Sequence, residues 1–168
     1  MNNKIKIGEP IRVYFNNSTG SHSLCVLNVS YKFMFCACED DFRFNGYTIR
    51  RFEDVDEVIS NTKYQEIVKA EKIFDNIQVP DIKINSWKDI FNSLYDLNEN
   101  IIVESEELDD NSFYVGRIEK VMDYGVTFRC FDSNAQWDKE AHVINYFHIT
   151  SVTFKSSYIN AYSKYVND

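Results

Sequence analysis

Residues 49–58 read IRRFEDVDEV, and residues 143–152 read VINYFHITSV. In both segments an apolar or aromatic side chain recurs at every third position, beginning with the first residue. Upstream, the run Phe33-Met34-Phe35 corresponds to the run Val126-Thr127-Phe128 at nearly the same offset. The offset drifts by only a few residues, at places where turns are expected, and insertions collect in loops. The pattern predicts a duplicated fold, and chance matching of apolar positions is the alternative.

The predicted core consists of the apolar positions that the two halves share. In the first half these are Val13, Val26, Val29, Phe35, Ile49, Val55 and Val58. In the second half they are Val103, Ile118, Val121, Phe128, Val143, Ile149 and Val152.

Each half predicts five short strands, because apolar and polar residues alternate in short runs bounded by turn residues. In the first half we expect strands at 10–16, 22–31, 33–39, 47–53 and 55–59. In the second half we expect strands at 100–106, 112–122, 125–132, 141–147 and 149–154. Polar residues 108–112 are predicted to form a hairpin tip. Five strands in about fifty residues are typical of a small barrel or a strongly bent sheet.

Three helices are predicted beside the strands. Thr62 and Gln65 have the spacing of a capping box and open a helix at 62–75. Apolar residues at helical spacing predict a second helix at 86–97 and a third at 157–166. The predicted fold class is therefore mainly β with flanking helices (α+β).

The predicted organisation is a first small barrel with a trailing helix at residues 1–76 and a linker at 77–85, which contains Pro80. A helix, a second small barrel and a C-terminal helix are then expected at 86–168.

The composition excludes several classes of protein. The chain has 168 residues, 44% of them hydrophobic, with only 5 Gly and 2 Pro, so it is neither disordered nor fibrous. It carries 18 Lys and Arg against 26 Asp and Glu, a net charge of −8, which disfavours nucleic acid and anionic membranes as partners. No apolar run is long enough to span a membrane and no secretory signal is evident, so we expect a cytoplasmic protein.

The four cysteines, Cys25, Cys36, Cys38 and Cys130, are expected to be free thiols in a reducing compartment. Cys36 and Cys38 would lie on one face of a strand, which is a poor geometry for chelating a metal. We therefore expect small buried side chains rather than ligands.

The remaining residues of chemical interest give no enzyme or metal signature. His142 and His148 would lie about 20 Å apart along an extended strand, too far to share a metal. The acidic runs at 39–41, 53–57 and 104–110 are interpreted as solvated turns. No nucleophile elbow, phosphate-binding glycine loop or calcium loop occurs. We therefore predict no catalytic residue, no cofactor and no metal.

One basic cluster is a candidate contact for nucleic acid. Arg43, Arg50 and Arg51 lie near Phe42 and Phe44, and arginine beside aromatic rings can stack on bases. Arg50 and Arg51 point to opposite faces of a strand, and the carboxylates that follow them are expected to form ion pairs with them.

The order of a helix at 86–97 followed by five bent strands resembles the Sm-like small barrel, and an SH3-like barrel fits the same order. The resemblance implies a tandem pair of such barrels, without the RNA site of the Sm family. At the first RNA motif, residues 122–126 contain Asp123 but no following Asn, and residues 29–33 contain neither. At the second motif, residues 146–148 and 52–54 lack the expected Arg-Gly pair.

These observations predict a non-enzymatic interaction or scaffold protein that binds a protein partner or self-associates. One alternative is a nucleic-acid-associated regulator that uses the three arginines. Another is an acidic inhibitor or immunity-type protein that binds a basic partner.

Overall fold

Short runs of alternating or continuous apolar residues form five strands in each half of the chain. The computed structural model describes residues 5–16, 18–105 and 112–166. The first five strands are β1 (Pro10–Phe15), β2 (Ser21–Val29), β3 (Phe33–Asp40), β4 (Arg43–Arg51) and β5 (Val55–Ile59). The second five are β6 (Ile101–Ser105), β7 (Ser112–Val121), β8 (Gly125–Cys130), β9 (His142–Asn145) and β10 (Ser151–Phe154). The chain is mainly β, as predicted, with 44% of residues in strands and 20% in helices.

The chain divides into two compact units, unit 1 (Met1–Pro80) and unit 2 (Asp81–Asp168). The division falls within residues 77–85, the stretch that the sequence predicts as a linker. Residues 108–111 of the predicted hairpin tip and most of the acidic run at 104–110 lie outside the described residues, and Ser112 begins β7.

The two units have the same strand order. In unit 1 the order is β5-β1-β2-β3-β4, and in unit 2 it is β10-β6-β7-β8-β9, with all of these neighbours antiparallel. In both units a 3-10 turn joins the fourth strand to the fifth, at Phe52–Asp54 and at Tyr146–His148. Among the described residues no ladder joins the fourth strand of a unit to its own fifth, so each sheet is open rather than a closed barrel.

Unit 1 buries apolar residues on both faces of β3 and β4, and its main cluster lies on one of these faces. Its buried cluster consists of Ile11, Val13, Phe15, Leu24, Val26, Met34, Cys36, Val55 and Val58. Cys38 packs against the same cluster, so Cys36 and Cys38 share a face as predicted. The helix α1 (Lys63–Ala70) begins at the predicted capping box, in which the side chains of Thr62 and Gln65 bind each other's backbone N–H.

The core of unit 2 is built by one helix and the inner faces of the strands. The helix α2 (Trp87–Leu97) begins at Ser86, whose hydroxyl accepts from the Asp89 N–H, and buries Ile90, Phe91 and Leu94. It packs against β7. The helix α3 (Ser157–Tyr162) packs into a second cluster that includes Ile159 and Phe131.

Several predicted boundaries are wrong. β4 begins at Arg43 rather than 47, because Asp41 and Phe42 both adopt positive φ and form a two-residue hairpin turn without glycine. The helices α1 and α3 end before 75 and 166, and Lys72 has a φ of 55° in the turn that follows α1. The strands predicted to end at 53 and 147 end at Arg51 and Asn145, because 3-10 turns follow them. Apolar residues that recur at every third position suit such turns, which have three residues per turn.

Two predicted core residues are exposed. Val29 lies at the end of β2 and is 38% exposed, whereas Val143 in β9 is 61% exposed. Its counterpart Ile49 is buried because β4 is covered on both faces over residues 46–50. β9 is the last strand of its sheet and buries only Ile144.

Candidate functional site

The three arginines predicted to contact nucleic acid do not form one surface. Arg43 is exposed at the start of β4, about 23 Å along the strand from Arg50. Arg50 is buried, and its guanidinium carbon lies 4.5 Å from the centre of the Phe15 ring. Arg51 donates two hydrogen bonds of 2.7 Å to the Asp54 carboxylate. Arg50 and Arg51 are therefore occupied inside unit 1.

The prediction that the acidic runs of unit 1 are solvated turns is wrong for two residues, because Glu39 near the end of β3 and Asp54 in the 3-10 turn are buried. Glu39 is buried and accepts hydrogen bonds from the Phe42 N–H and, at 2.7 Å, from the Tyr64 hydroxyl. Asp56 and Glu57 are exposed on β5, which is the terminal strand of its sheet. Charges on an edge strand repel a second strand, so these carboxylates protect β5.

Unit 1 also has a cleft of about 540 Å³ at the start of α1. Its wall includes Glu9 and Lys69, which form an ion pair, and Thr62 and Gln65, which bind each other in the capping box. These four polar groups are therefore engaged in two pairs, one of which is the cap of α1.

The terminal strand β9 of unit 2 has an open backbone edge. The Tyr146 N–H donates to the Tyr124 carbonyl at 3.0 Å, whereas the Gly125 carbonyl accepts from Met122 on the β7 side. Residues 124, 126 and 128 therefore direct their backbone groups toward β9, and their partners are residues 146, 144 and 142. It follows that Val143 directs its backbone N–H and C=O, and Asn145 its N–H, away from the sheet, whereas the C=O of Asn145 accepts the first hydrogen bond of the 3-10 turn that it caps.

Uncharged, exposed side chains accompany this open edge. β9 reads HVIN and contains no Asp, Glu, Lys or Arg. Val143 is 61% exposed, Phe147 in the following 3-10 turn is 76% exposed, and Tyr124 beside Tyr146 is exposed as well. Exposed large apolar residues grouped at one edge are characteristic of protein contact surfaces. We call these residues, 124 and 143–147, the β9 edge.

A cysteine, an aspartate and a histidine meet where the chain passes from β8 to β9. The possible ligand atoms of Cys130, Asp138 and His142 all lie within 4.8 Å of one another, and His142 Nε2 is 3.1 Å from Asp138 Oδ2. His142 pairs with Phe128, and Phe128 and Cys130 share a face because they are two residues apart in β8. The Asp138 N–H donates to the Cys130 carbonyl at 2.9 Å, which holds Asp138 beside this face.

The connection between β8 and β9 is tightly fixed. The Asp132 carboxylate accepts from the N–H groups of Asn134 and Gln136, at 2.9 and 3.0 Å. Phe131 forms a β-bridge with Trp137 and stacks on Tyr162 of α3, with ring centres 5.7 Å apart. These contacts hold both ends of the loop, so the three side chains have a stable framework.

The protonation of Cys130 bears on the chemistry of this cluster. Burial, and then the negative charge of Asp138, raise the pKa of the Cys130 thiol to about 11. The thiol is therefore protonated at neutral pH, whereas a cysteine nucleophile needs a lowered pKa. The arrangement does not suit a Cys-His-Asp hydrolase. It does supply a sulfur, an oxygen and a nitrogen donor, which is a ligand set that zinc accepts.

Local sequence patterns do not reveal this cluster, because they relate His142 to His148 and Cys36 to Cys38. The spacing of seven residues between Cys130 and Asp138 matches no local metal motif. Only the return of the chain into β9 brings the donors together. The sequence offered one signal of the cluster, namely that Asp138 lies four residues before His142, the first residue of β9.

Comparison with protein-family models, with curated proteins and with solved structures finds no significant match. Within the part of the chain that the structure describes, no helix is long and apolar enough to cross a membrane.

Proposed function

We propose that this chain is a non-enzymatic interaction or scaffold protein built from two tandem units of the Sm-like or SH3-like type. The shared strand order and the 3-10 turn between the fourth and fifth strands of each unit support this assignment. Proteins with small β-sheet modules of this kind commonly act by presenting loops and strand edges to other proteins.

The observation that carries the proposal is the β9 edge. Among the described residues, the backbone N–H and C=O of Val143 and the N–H of Asn145 have no partner strand, and the neighbouring apolar side chains offer contact area. A partner that presents an extended segment can add a strand here, gaining backbone hydrogen bonds along β9. A second copy of this chain is one such partner.

The contrast between β5 and β9, each a terminal strand of its own sheet, strengthens the assignment. β5 carries the exposed carboxylates Asp56 and Glu57, which discourage pairing. β9 carries no comparable charge. A partner strand should therefore pair with β9 and avoid β5.

Affinity capture from the cells that produce the protein tests the proposal. Three baits are compared: the wild type, Val143→Lys, which places a charge on the edge strand, and Tyr31→Lys. Tyr31 is the control because it is 79% exposed and belongs to unit 1 rather than to β9. We expect a protein recovered by the wild type and by Tyr31→Lys but lost with Val143→Lys. Recovery of the same proteins by all three baits would exclude the β9 edge as the contact surface.

A second candidate function is an acidic inhibitor that binds a basic partner. The exposed carboxylates of unit 1, among them Asp40, Asp41, Asp56 and Glu57, favour it. Binding of this kind weakens steeply as salt rises and is insensitive to Val143→Lys. Repeating the capture at low and moderate salt therefore separates the two candidates.

The nucleic-acid alternative is tested with a generic labelled oligonucleotide across the same salt series. The net charge of −8 disfavours binding to nucleic acid. The side chains of Arg50 and Arg51 are engaged within unit 1, and Arg43 is the exposed member of the predicted cluster. We expect no binding at low salt. Binding that falls with salt and is lost in Arg43→Ala would instead establish a nucleic-acid role.

A further inference from the structure

We propose that Cys130, Asp138 and His142 form a zinc-binding site at the connection between β8 and β9. The proposal is independent of the β9 edge as a contact surface, because it rests on the positions of three donor atoms. It assigns a function to a part of unit 2 that the sequence pattern left as a plain loop.

The distances between the donors fit one small cation. Two ligands at about 2.0 Å from zinc in a tetrahedral arrangement lie about 3.3 Å apart, and a thiolate at about 2.3 Å lies slightly farther from its neighbours. His142 Nε2 and Asp138 Oδ2 are 3.1 Å apart, and the sulfur of Cys130 lies within 4.8 Å of both. An ion can therefore be held with only small rotations of the three side chains.

The types of donor select the metal. A thiolate with an imidazole favours zinc over magnesium or calcium, which prefer oxygen ligands alone. Copper(II) would bind such donors more tightly, but it oxidises thiols and prefers a tetragonal arrangement. Zinc readily accepts sulfur, nitrogen and oxygen ligands in a tetrahedron.

The surroundings leave one coordination position open. Cys130 is buried at the floor of the cluster, whereas the side chains of His142 and Asp138 are 49% and 41% exposed. Three protein ligands with one side toward solvent leave the fourth position to water or to a side chain from another molecule. The two positive charges of the ion also offset the electrostatic repulsion between a Cys130 thiolate and the Asp138 carboxylate.

The site has a structural consequence for unit 2. His142 is the first residue of β9, and Cys130 is the last residue of β8. An ion bound by both closes the loop between these strands and fixes the start of the terminal strand. Metal binding should therefore stabilise unit 2 by an amount that rises with the logarithm of the affinity for the folded state.

Cobalt(II) substitution of the full, reduced chain tests the proposal. The protein is freed of metal with a chelator and titrated with Co²⁺, and the absorbance is followed. We expect a thiolate-to-cobalt charge-transfer band and tetrahedral d–d bands that saturate at one Co²⁺ per chain, and their loss when Zn²⁺ is added. No thiolate band from the folded wild type would overturn the proposal.

Variants assign the band to the three residues. Cys130→Ser should abolish the charge-transfer band. His142→Gln and Asp138→Asn change partly exposed side chains, so they should fold even if Cys130→Ser does not. Both should weaken zinc binding by more than about 100-fold, because loss of a mere outer-shell partner already costs about 10- to 100-fold.

The matched controls are His148→Gln and Cys38→Ser, which change the same residue types outside the cluster. Both should bind zinc as the wild type does. A band that persists in Cys130→Ser or disappears in Cys38→Ser would place the metal on other cysteines. Unchanged zinc affinity in both His142→Gln and Asp138→Asn would also overturn the proposed site.

Discussion

The ion pair of Arg51 and Asp54 closes the 3-10 turn between β4 and β5. Asp54 is buried, the Arg51 side chain is 12% exposed, and two hydrogen bonds of 2.7 Å join them. We expect Asp54→Ala to lower the free energy of unfolding by about 3 kcal/mol, because a buried guanidinium loses a bound carboxylate. Urea denaturation measures the change.

The control is Glu66→Ala, which breaks an exposed ion pair with Lys63. Exposed pairs contribute little, so this change should leave the free energy of unfolding nearly unaltered. Equal losses in Asp54→Ala and Glu66→Ala would show that burial of the Arg51 pair has no energetic consequence.

Phe128 is a core residue of unit 2 that the sequence predicted and the structure buries completely. Phe128→Ala should cost about 3–5 kcal/mol, because it removes a buried ring and leaves a cavity. Phe147→Ala is the matched control, since that ring is 76% exposed. Chemical denaturation should separate the two variants, and a cost below about 1 kcal/mol for Phe128→Ala would contradict the assigned core.

The contrast between Phe128 and Val143 shows what a sequence pattern can predict about single residues. Alternation correctly marks Phe128 because β8 is flanked by β7 and β9 and one face is buried. Val143 has an equally apolar pattern but lies on the outer face of a terminal strand. Whether a strand ends a sheet depends on long-range pairing, which local periodicity does not encode.

At the scale of strands, the pairing of β7 with β8 depends on a glycine. Gly116 lies opposite Cys130, and a Cβ atom built there would be 1.9 Å from the Arg129 carbonyl oxygen. We expect Gly116→Ala to force the two strands apart and to lower the free energy of unfolding by about 1–3 kcal/mol.

Gly20→Ala provides the comparison, because a Cβ at Gly20 would meet no described residue within 4 Å other than its chain neighbours. Amide hydrogen exchange along β7 and β8 should be faster in Gly116→Ala and unchanged in Gly20→Ala. Equal exchange in both variants would contradict the close approach of the two strands.

The helix α2 is joined to the β7–β8 turn by an ion pair between Lys88 and Asp123, 2.5 Å apart. The hydrogen bond and charge of Lys88 lower the pKa of Asp123. A lowered carboxyl pKa stabilises the fold above the ordinary aspartate pKa, and this contribution is lost as pH falls through the lowered value. The stabilisation that the Lys88–Asp123 pair provides is therefore lost in acid, below about pH 4.

We expect Lys88→Met to raise the pKa of Asp123 toward its ordinary value, as followed by NMR of its side-chain carboxyl carbon. Lys83→Met, a change in the same unit, should leave that pKa unaltered. High salt should reduce the difference, because both partners are exposed to solvent. An Asp123 pKa that is the same in the wild type and Lys88→Met would exclude the ion pair in solution.

Elements were more predictable than their ends. All ten strands and three helices form near the residues that periodicity and capping predict, because those signals are local. The early start of β4 was missed because Phe42 adopts positive φ, which glycine or asparagine ordinarily marks. The start of β4 was therefore hard to predict, because the turn before it contains neither glycine nor asparagine.

At the scale of the whole molecule, the sequence predicted an interaction role but not the surface. Composition and the missing motifs argued against nucleic acid and catalysis. The β9 edge depends on which strand ends the sheet, and the cluster of Cys130, Asp138 and His142 depends on how the chain returns from β8. Both features arise from tertiary pairing, and neither has a short sequence signature.

The most direct test of the β9 edge is residue-resolved amide hydrogen exchange in the free chain and in the assembly that capture recovers, self-association included. In the free chain the outward amides of Val143 and Asn145 should exchange much faster than the inward amide of Ile144. In the assembly we expect Val143 and Asn145 to become protected, because a partner strand accepts their hydrogen bonds. Protection confined to other parts of the chain, with both amides unchanged, would contradict the proposed function.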